Sequence, residues 1–203
     1  MKLYDGGRVP NARRVRIYLA EKGLEVEKVP VDLGRNEHKT SEFARLNPLR
    51  CVPVLQLDDG TILTESIAIC RYFEELHPSP PMFGEGARGR ALVEMWQRRL
   101  EFELYISAAF VFRHTHPAMA GSQVPQIPAW GEANRAYVEN FLGILDGHLK
   151  SHEFVAGDRM SVADITGFIA IEFFKAAKIP PPERHAHVMR WHAALAARPS
   201  ARA

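Results

Sequence analysis

Residues 78–86 contain Pro78-Ser79-Pro80-Pro81 and then Gly84 and Gly86, and no regular element can run through them. Each proline removes a backbone donor and fixes φ, and the glycines leave the chain free to turn. On the N-terminal side, short β-like runs alternate with helical patterns. On the C-terminal side no strand pattern occurs. A chain divided this way reads as two domains of different class: residues 1–77, a stiff linker over 78–87, and an all-helical domain over 88–203. A length of 203 residues is enough for two small cores.

The N-terminal part predicts the order β-α-β-α-β-β-α. Lys2–Asp5 is a short strand. Asn11–Lys22 is helical, with Ala12, Val15, Tyr18 and Leu19 on the core face, Arg13, Arg14, Arg16 and Glu21 on the other, and Gly23 as its stop. Glu25–Val31 alternates as a strand does, and Ser41–Leu46 is a short helix. Pro53–Leu57 and Thr61–Leu63 flank Asp58-Asp59-Gly60, a hairpin signal. Glu65–His77 is a helix with Ile69, Tyr72, Phe73 and Leu76 as its stripe. A parallel βαβ unit, a hairpin and a closing helix make a four-stranded mixed sheet with helices packed on it.

The C-terminal part predicts one long helix over Arg88–His114, a loop over Pro117–Pro128, and a helix over Ala133–Leu149 with Tyr137, Phe141, Ile144 and Leu145 inward. A buried central helix runs over Ile165–Lys178 and a last helix over Glu183–Ala197. Met160-Ser161-Val162-Ala163-Asp164-Ile165 is a capping box at the start of the central helix, which assigns Asp164 to folding and not to chemistry.

Composition narrows function by exclusion. Lys plus Arg is 26 against 24 for Asp plus Glu, a net charge of +2 that gives no basis for nucleic-acid binding. No apolar run spans a bilayer, no leader-like segment precedes the first strand, and only Cys51 and Cys70 occur; a cytoplasmic chain is expected. Cys51 reads as a small partly buried filler and Cys70 as packing. The close histidine pairs, His114/His116 and His185/His187, are splayed by their spacing and have no acidic or cysteine partner nearby, so no metal is expected.

The stretch that carries function is Asn47–Phe73, NPLRCVPVLQLDDGTILTESIAICRYF. Val52-Pro53 falls where an edge strand begins. A cis peptide there would turn the N–H and C=O of Val52 toward an extended peptide. Glu65-Ser66 opens a helix, where the Ser66 hydroxyl and the first backbone N–H groups suit a carboxylate and Glu65 suits an ammonium. One ligand needs all of this: a small peptide with a free amino-acid end and a cysteine held in β geometry.

The chain resembles the cytosolic glutathione S-transferases over nearly its whole length. The resemblance rests on KLYD…PNARRVRIYLAEKGLEVEKVPVDL, on NPLRCVPVL–DDG–L-TES-I, and on FVAGDRMSVADIT, in that order. It implies a thioredoxin-like first domain and a helical second one, with glutathione as co-substrate. The resemblance implies that Val52, beside Pro53, pairs with the cysteinyl backbone, that Glu65 and Ser66 hold the γ-glutamyl end, and that His38 or Lys39 meets the glycine carboxylate, His38 being preferred. It also implies a homodimer, a detoxification role, and an acceptor pocket for a small hydrophobic electrophile. Tyr105, Phe112 and Arg113 fall where its walls would be, though core packing against the last helices is the preferred account of each residue taken singly.

One position departs from the family. Where relatives carry a hydroxyl or thiol just before a Pro-Asn or Pro-X pair, this chain has Val9. Valine donates nothing to a sulfur. The remaining candidates are the Asn11 amide, the backbone N–H groups at the start of the first helix, and Arg8 or Arg13. Asn11 is the first choice as the catalytic group, with a helix cap as its other role. The missing cysteine argues against a mixed-disulfide mechanism through the protein. Two alternatives stand beside the transferase: a glutathione-dependent disulfide reductase or peroxidase on the same scaffold, and a non-enzymatic adaptor.

Overall fold

The computed structural model describes residues 1–203 and divides them into two compact units, Met1–Met82 with Pro199–Ala203, and Phe83–Arg198. The division falls inside the Pro/Gly-rich stretch. The last five residues, within the 88–203 stretch of the sequence, pack with the first unit: Arg13 Nη2 donates to Ala201 O at 2.8 Å, and Ser200 Oγ donates to Glu21.

The first unit runs β1 (Lys2–Asp5), α1 (Pro10–Lys22), β2 (Glu27–Pro30), a 3₁₀ turn (Glu37–Lys39), α2 (Ser41–Leu46), β3 (Val54–Gln56), β4 (Ile62–Leu63) and α3 (Ser66–Leu76). The sheet order is β2-β1-β3-β4, with β1 parallel to β2 and β3 antiparallel to both neighbours. β3 is therefore interior, not the edge strand expected from Pro53. The proline is tolerated because β1–β3 pairing stops at Tyr4 opposite Val54, one residue beyond it.

Gly23 ends α1 at φ 64°, as its lack of Cβ permits. Two residues assigned to exposed or apolar faces sit otherwise. Leu76 is half-exposed, because α3 ends there. Arg14 is only 1% exposed. It faces α3, where a buried polar cluster gives charged groups partners: Tyr18 Oη donates to Glu74 Oε2 at 2.6 Å, and the Lys22 ammonium meets the same oxygen at 2.6 Å. Burial first, and then the Glu74 carboxylate, push the Tyr18 phenol well above its ordinary value, so Tyr18 acts as a fixed donor.

The second unit holds α4 (Gly86–Arg99), a seven-residue π-helical stretch (Leu100–Ile106), α5 (Ser107–Thr115), α6 (Pro128–Leu149), α7 (Val162–Ala177) and α8 (Ala186–Ala196). The single helix expected over Arg88–His114 is thus interrupted by wide turns that no Gly or Pro announces. α6 starts five residues earlier than expected, because Pro128 takes the first helical position, where its missing N–H costs nothing. Its buried face is Asn134, Val138, Phe141, Leu142, Leu145 and Leu149. Tyr137 and Ile144, expected inward, are 49% and 61% exposed.

α7 is buried along most of its length. The capping box forms, and Asp164 does more than cap. Its carboxylate accepts from Ser161 N–H at 2.8 Å, Ser161 Oγ at 2.8 Å, Val155 N–H at 3.0 Å and Trp191 Nε1 at 2.9 Å, joining α7 to α8 and to the loop before α7. Gly167 lets α8 close in, since a Cβ there would lie 2.6 Å from the Trp191 ring.

Candidate glutathione site

The turn between β1 and α1 is built around Asp5. Asp5 Oδ1 accepts from Gly7 N–H at 3.0 Å and from Arg16 Nη1 at 2.6 Å, and Arg16 Nη1 also donates to Gly7 O at 2.7 Å. Gly7 takes φ 68°. Gly6 is required for a different reason: a Cβ there would lie 2.5 Å from Val52 Cγ2. The turn and the loop ahead of β3 thus meet directly.

Val9 is the N-cap residue of α1 and Pro10 its first helical residue. The Val9 side chain packs on a cluster of Val31, Phe43, Val52 and Val54, joined by Tyr4, Leu33, Leu46 and Ile62. The position that would hold a hydroxyl is therefore a packing position here. Asn11 is not the cap; it lies two residues past it, at the second helical position, half-buried, and its amide hydrogen-bonds no other residue. Pro10 has no N–H, and the first return bond of the helix is Arg13 N–H to Val9 O at 3.0 Å. The N–H groups of Asn11 and Ala12 are left at the positive end of α1. Arg8 is exposed, and Arg13 is held by Ala201.

The Val52–Pro53 peptide is cis, and both residues are buried. The backbone of Val52 lies outside the sheet ladder. Asn47, buried and not singled out from sequence, braces this loop: its Nδ2 donates to Cys51 O at 2.8 Å and its Oδ1 accepts from Leu49 N–H at 3.0 Å. An Asn-Pro pair five residues ahead of a Val-Pro is the signal available. Cys51 is exposed instead of a partly buried filler, because the loop turns its side chain outward, and its Sγ donates to Leu49 O at 3.2 Å. Cys70 is buried in α3, and burial pushes its thiol up and out of reactive range.

Glu65 precedes α3 at φ 65°, exposed, with its side chain capping nothing. Ser66 is 5% exposed, and its Oγ accepts from Arg14 Nη1 at 3.0 Å. Sequence periodicity had placed Arg14 on the solvent face, and only the tertiary packing of α1 on α3 reveals the bond. His38 and Lys39 share the 3₁₀ turn; Lys39 is exposed, and His38 Nδ1 is buried without a hydrogen-bond partner. Burial first, and the Lys39 charge second, lower the His38 pKa, so the ring is neutral at pH 7.

The expected acceptor residues lie in the second unit. Tyr105 packs edge-on to Phe173 at 6.3 Å, and Phe112 packs edge-on to the same ring at 5.3 Å and against His116 at 4.8 Å. Phe173 organises this pair and was not singled out from sequence. Arg113 is exposed and does not join them; its carbonyl accepts from Gln126. The histidine pairs serve the backbone or acidic side chains: His114 Nδ1 accepts from Ile127 N–H, His116 Nδ1 accepts from Ala118 N–H, and His185 meets Glu139. No three His, Cys, Asp or Glu side chains cluster as a metal site, and no helix is long and apolar enough to cross a membrane.

A βαβ–ββα sheet unit with a cis-proline loop beside its first turn, followed by a helical unit, defines a thioredoxin-like domain joined to a helical bundle. The comparisons narrow the class further. Residues 10–76 match the model of the glutathione S-transferase N-terminal domain, and residues 108–199 that of the C-terminal domain. The chain is 34% identical to Glutathione S-transferase 2 of Saccharomyces cerevisiae, over 98% of this chain and 87% of that protein. Two solved structures are also similar. A glutathione S-transferase domain-containing protein of Marinobacter aquaeolei has a TM-score of 0.94 at 38% identity, covering 98% of this chain and 99% of the other. Gtt2 of Saccharomyces cerevisiae has a TM-score of 0.93 at 33% identity, covering 100% and 99%. This chain belongs to the glutathione S-transferase family.

Proposed function

We propose that the first unit binds glutathione and that the protein transfers it, as thiolate, to small electrophiles. The observation that carries this reading is the meeting of Gly6 with Val52: it brings the start of α1 against the cis-proline loop, beside which a cysteinyl backbone can pair. Val52 holds that backbone, Glu65 takes the γ-glutamyl ammonium, Ser66 its carboxylate, and His38 with Lys39 the glycine end. The neutral His38 ring offers a hydrogen bond and Lys39 a charge.

The thiolate is stabilised by the Asn11 amide with the N–H groups of Asn11 and Ala12. These donors favour the charged sulfur and lower its pKa. The sulfur then attacks an electrophilic carbon, a C–S bond forms, and the leaving group departs with its electron pair. No covalent intermediate with the protein is needed; positioning and thiolate stabilisation supply the rate. Tyr105, Phe112 and Phe173 offer aromatic surface to an apolar electrophile. The protein acts in the cytoplasm in a detoxifying role, as a homodimer whose contact is the exposed face of α6.

The test is retention on immobilised glutathione, then turnover with a chloronitroaromatic and with a mixed glutathione disulfide. Retention with turnover of the first supports the transferase. Retention with turnover of the second alone assigns a disulfide reductase, and retention with neither points to an adaptor. Failure to bind glutathione would overturn the proposal.

A further inference from the structure

We infer that Arg14 is a positioning residue for Ser66 and so sets how tightly the site holds the α-carboxylate at the γ-glutamyl end of glutathione. The inference rests on the reading of this site as a glutathione site.

A serine hydroxyl has one hydrogen to give and two lone pairs to fill, whereas a guanidinium only donates. With Arg14 Nη1 at 3.0 Å from Ser66 Oγ, one lone pair is taken by a charged donor. The Ser66 hydrogen cannot point back at Arg14 and is aimed elsewhere. The unbonded groups around it are the first-turn N–H groups of α3, since the first return bond of that helix runs from Ile69 N–H to Glu65 O at 3.0 Å. Those N–H groups attract an anion and offer the hydroxyl no acceptor. A carboxylate arriving there supplies one. A charged donor on the oxygen also polarises the O–H bond and strengthens what it donates.

Both side chains are removed from water, so the bond is not exchanged for solvent. The guanidinium charge is felt along α3 as well: at Cys70, one turn past Ser66, it works against the upward push of burial on the thiol. Arg14 thus belongs to α1, the helix that also bears Asn11, and acts on the site through α3.

The experiment measures binding of glutathione and of its analogue lacking the α-carboxylate (4-aminobutyryl-cysteinyl-glycine) by calorimetry. The proteins are wild type, Arg14→Met, Arg14→Lys, Ser66→Ala and the Arg14→Met/Ser66→Ala double variant. Arg14→Met is expected to weaken glutathione about tenfold, the size of one lost charge-assisted hydrogen bond. The loss should fall on KM, with kcat at saturating glutathione reduced by a smaller factor. Binding of the analogue should change by less than about twofold, because it has no carboxylate for Ser66 to meet. The double variant should be no weaker than Ser66→Ala, and Arg14→Lys should recover part of the affinity. Equal weakening of both ligands, or additive losses in the double variant, would overturn the inference by showing that Arg14 acts through the general fold. Should Arg14→Met not fold, Arg14→Lys with Ser66→Ala carries the same comparison. If wild type binds neither ligand, the glutathione reading itself has failed, which is a separate result.

Discussion

Gly6 and Val52 lie so close that a single added carbon on Gly6 would stand 2.5 Å from Val52 Cγ2. Neither residue moves freely: Gly6 adjoins the turn pinned by Asp5 and Arg16, and Val52 belongs to a packed cluster. Gly6→Ala must therefore shift the cis-proline loop. Its neighbour is a control, because Gly7 has open space around its Cβ position but φ 68°. Gly7→Ala should cost about 1–2 kcal/mol of backbone strain and leave glutathione affinity nearly unchanged. Gly6→Ala should cost about 1–3 kcal/mol by overpacking and weaken glutathione by about tenfold or more, since the ligand's backbone partner moves. Thermal unfolding with calorimetric titration separates the two. Equal affinity losses would remove Gly6 from the site.

Val9 invites an obvious repair, the return of a hydroxyl. Because its side chain packs with Val31, Phe43, Val52 and Val54, Val9→Ser should not raise activity. It should instead cost about 1 kcal/mol or more through lost packing and a hydroxyl placed among apolar groups. The donor proposed for the thiolate is Asn11. In Asn11→Ala the pKa of bound glutathione, followed by thiolate absorbance, should rise by about one unit, the loss of one donor to the anion. An unchanged thiol pKa in Asn11→Ala, or a faster enzyme in Val9→Ser, would return the role to another group.

Much of the fold was legible because each element carries its own local signal. The period-two run at Glu25–Val31, the Asp58-Asp59-Gly60 turn, the Gly23 stop and the Ser161–Asp164 box are local chemistry, and each fixes an element within a few residues. What stayed illegible depends on packing between elements. Arg14 looks solvent-facing on its own helix and is buried only because α3 brings Ser66 to it. Asn47 and Phe173 gain meaning from Cys51 and from Tyr105. The π-helical turns at Leu100–Ile106 carry no breaker residue. The outward face of α6 escaped for the same reason, since apolar residues on a helix show that a face exists but not what covers it.

The proposed contact of His38 with the glycine carboxylate predicts that glutathione binding depends on pH. In the free protein its pKa is lowered, by burial and then by Lys39. A glycine carboxylate brought against the ring raises it. Between these two values the complex holds more proton than the free protein. Affinity should therefore rise as pH falls through the pKa of the complex, and level off below that of the free protein. Each unit separating them is worth about tenfold. S-methylglutathione, which lacks an ionisable thiol, isolates this effect, and His38→Gln should flatten it. A flat profile for wild type would assign the carboxylate to Lys39 alone.

Asp164 is wholly buried with four donors converging on its carboxylate. Burial raises its pKa despite those donors. Asp164→Ala leaves the Ser161 and Val155 N–H groups and the Trp191 indole without acceptors, and should cost about 3 kcal/mol or more. Asp164→Asn retains one acceptor oxygen and should cost less. Denaturant unfolding followed by tryptophan fluorescence reports it directly, since Trp191 is one of the donors. Activity per folded molecule should be preserved in both variants, and a specific loss of kcat with stability intact would contradict the purely structural assignment.

Trp130, Tyr137 and Ile144 recur every seven residues along α6, two turns apart, and all three are exposed. A stripe of that kind on one face costs free energy in water unless another surface covers it. A groove of about 380 Å³ beside it is lined by Arg99, Glu103, Tyr137, Asn140, Phe141 and Ile144. Ile144 is the most exposed of the stripe, so Ile144→Glu tests the homodimer with least harm to the monomer's own core. Placing that charge against its copy across a two-fold axis should weaken association by about 2 kcal/mol or more, roughly thirtyfold in the dissociation constant. Sedimentation velocity should show wild type at twice the mass of the chain and the variant shifting to monomer on dilution, with its helical circular dichroism at low temperature unchanged. A wild-type monomer would leave the stripe to a different partner. A variant still dimeric at low concentration would place the contact on another face.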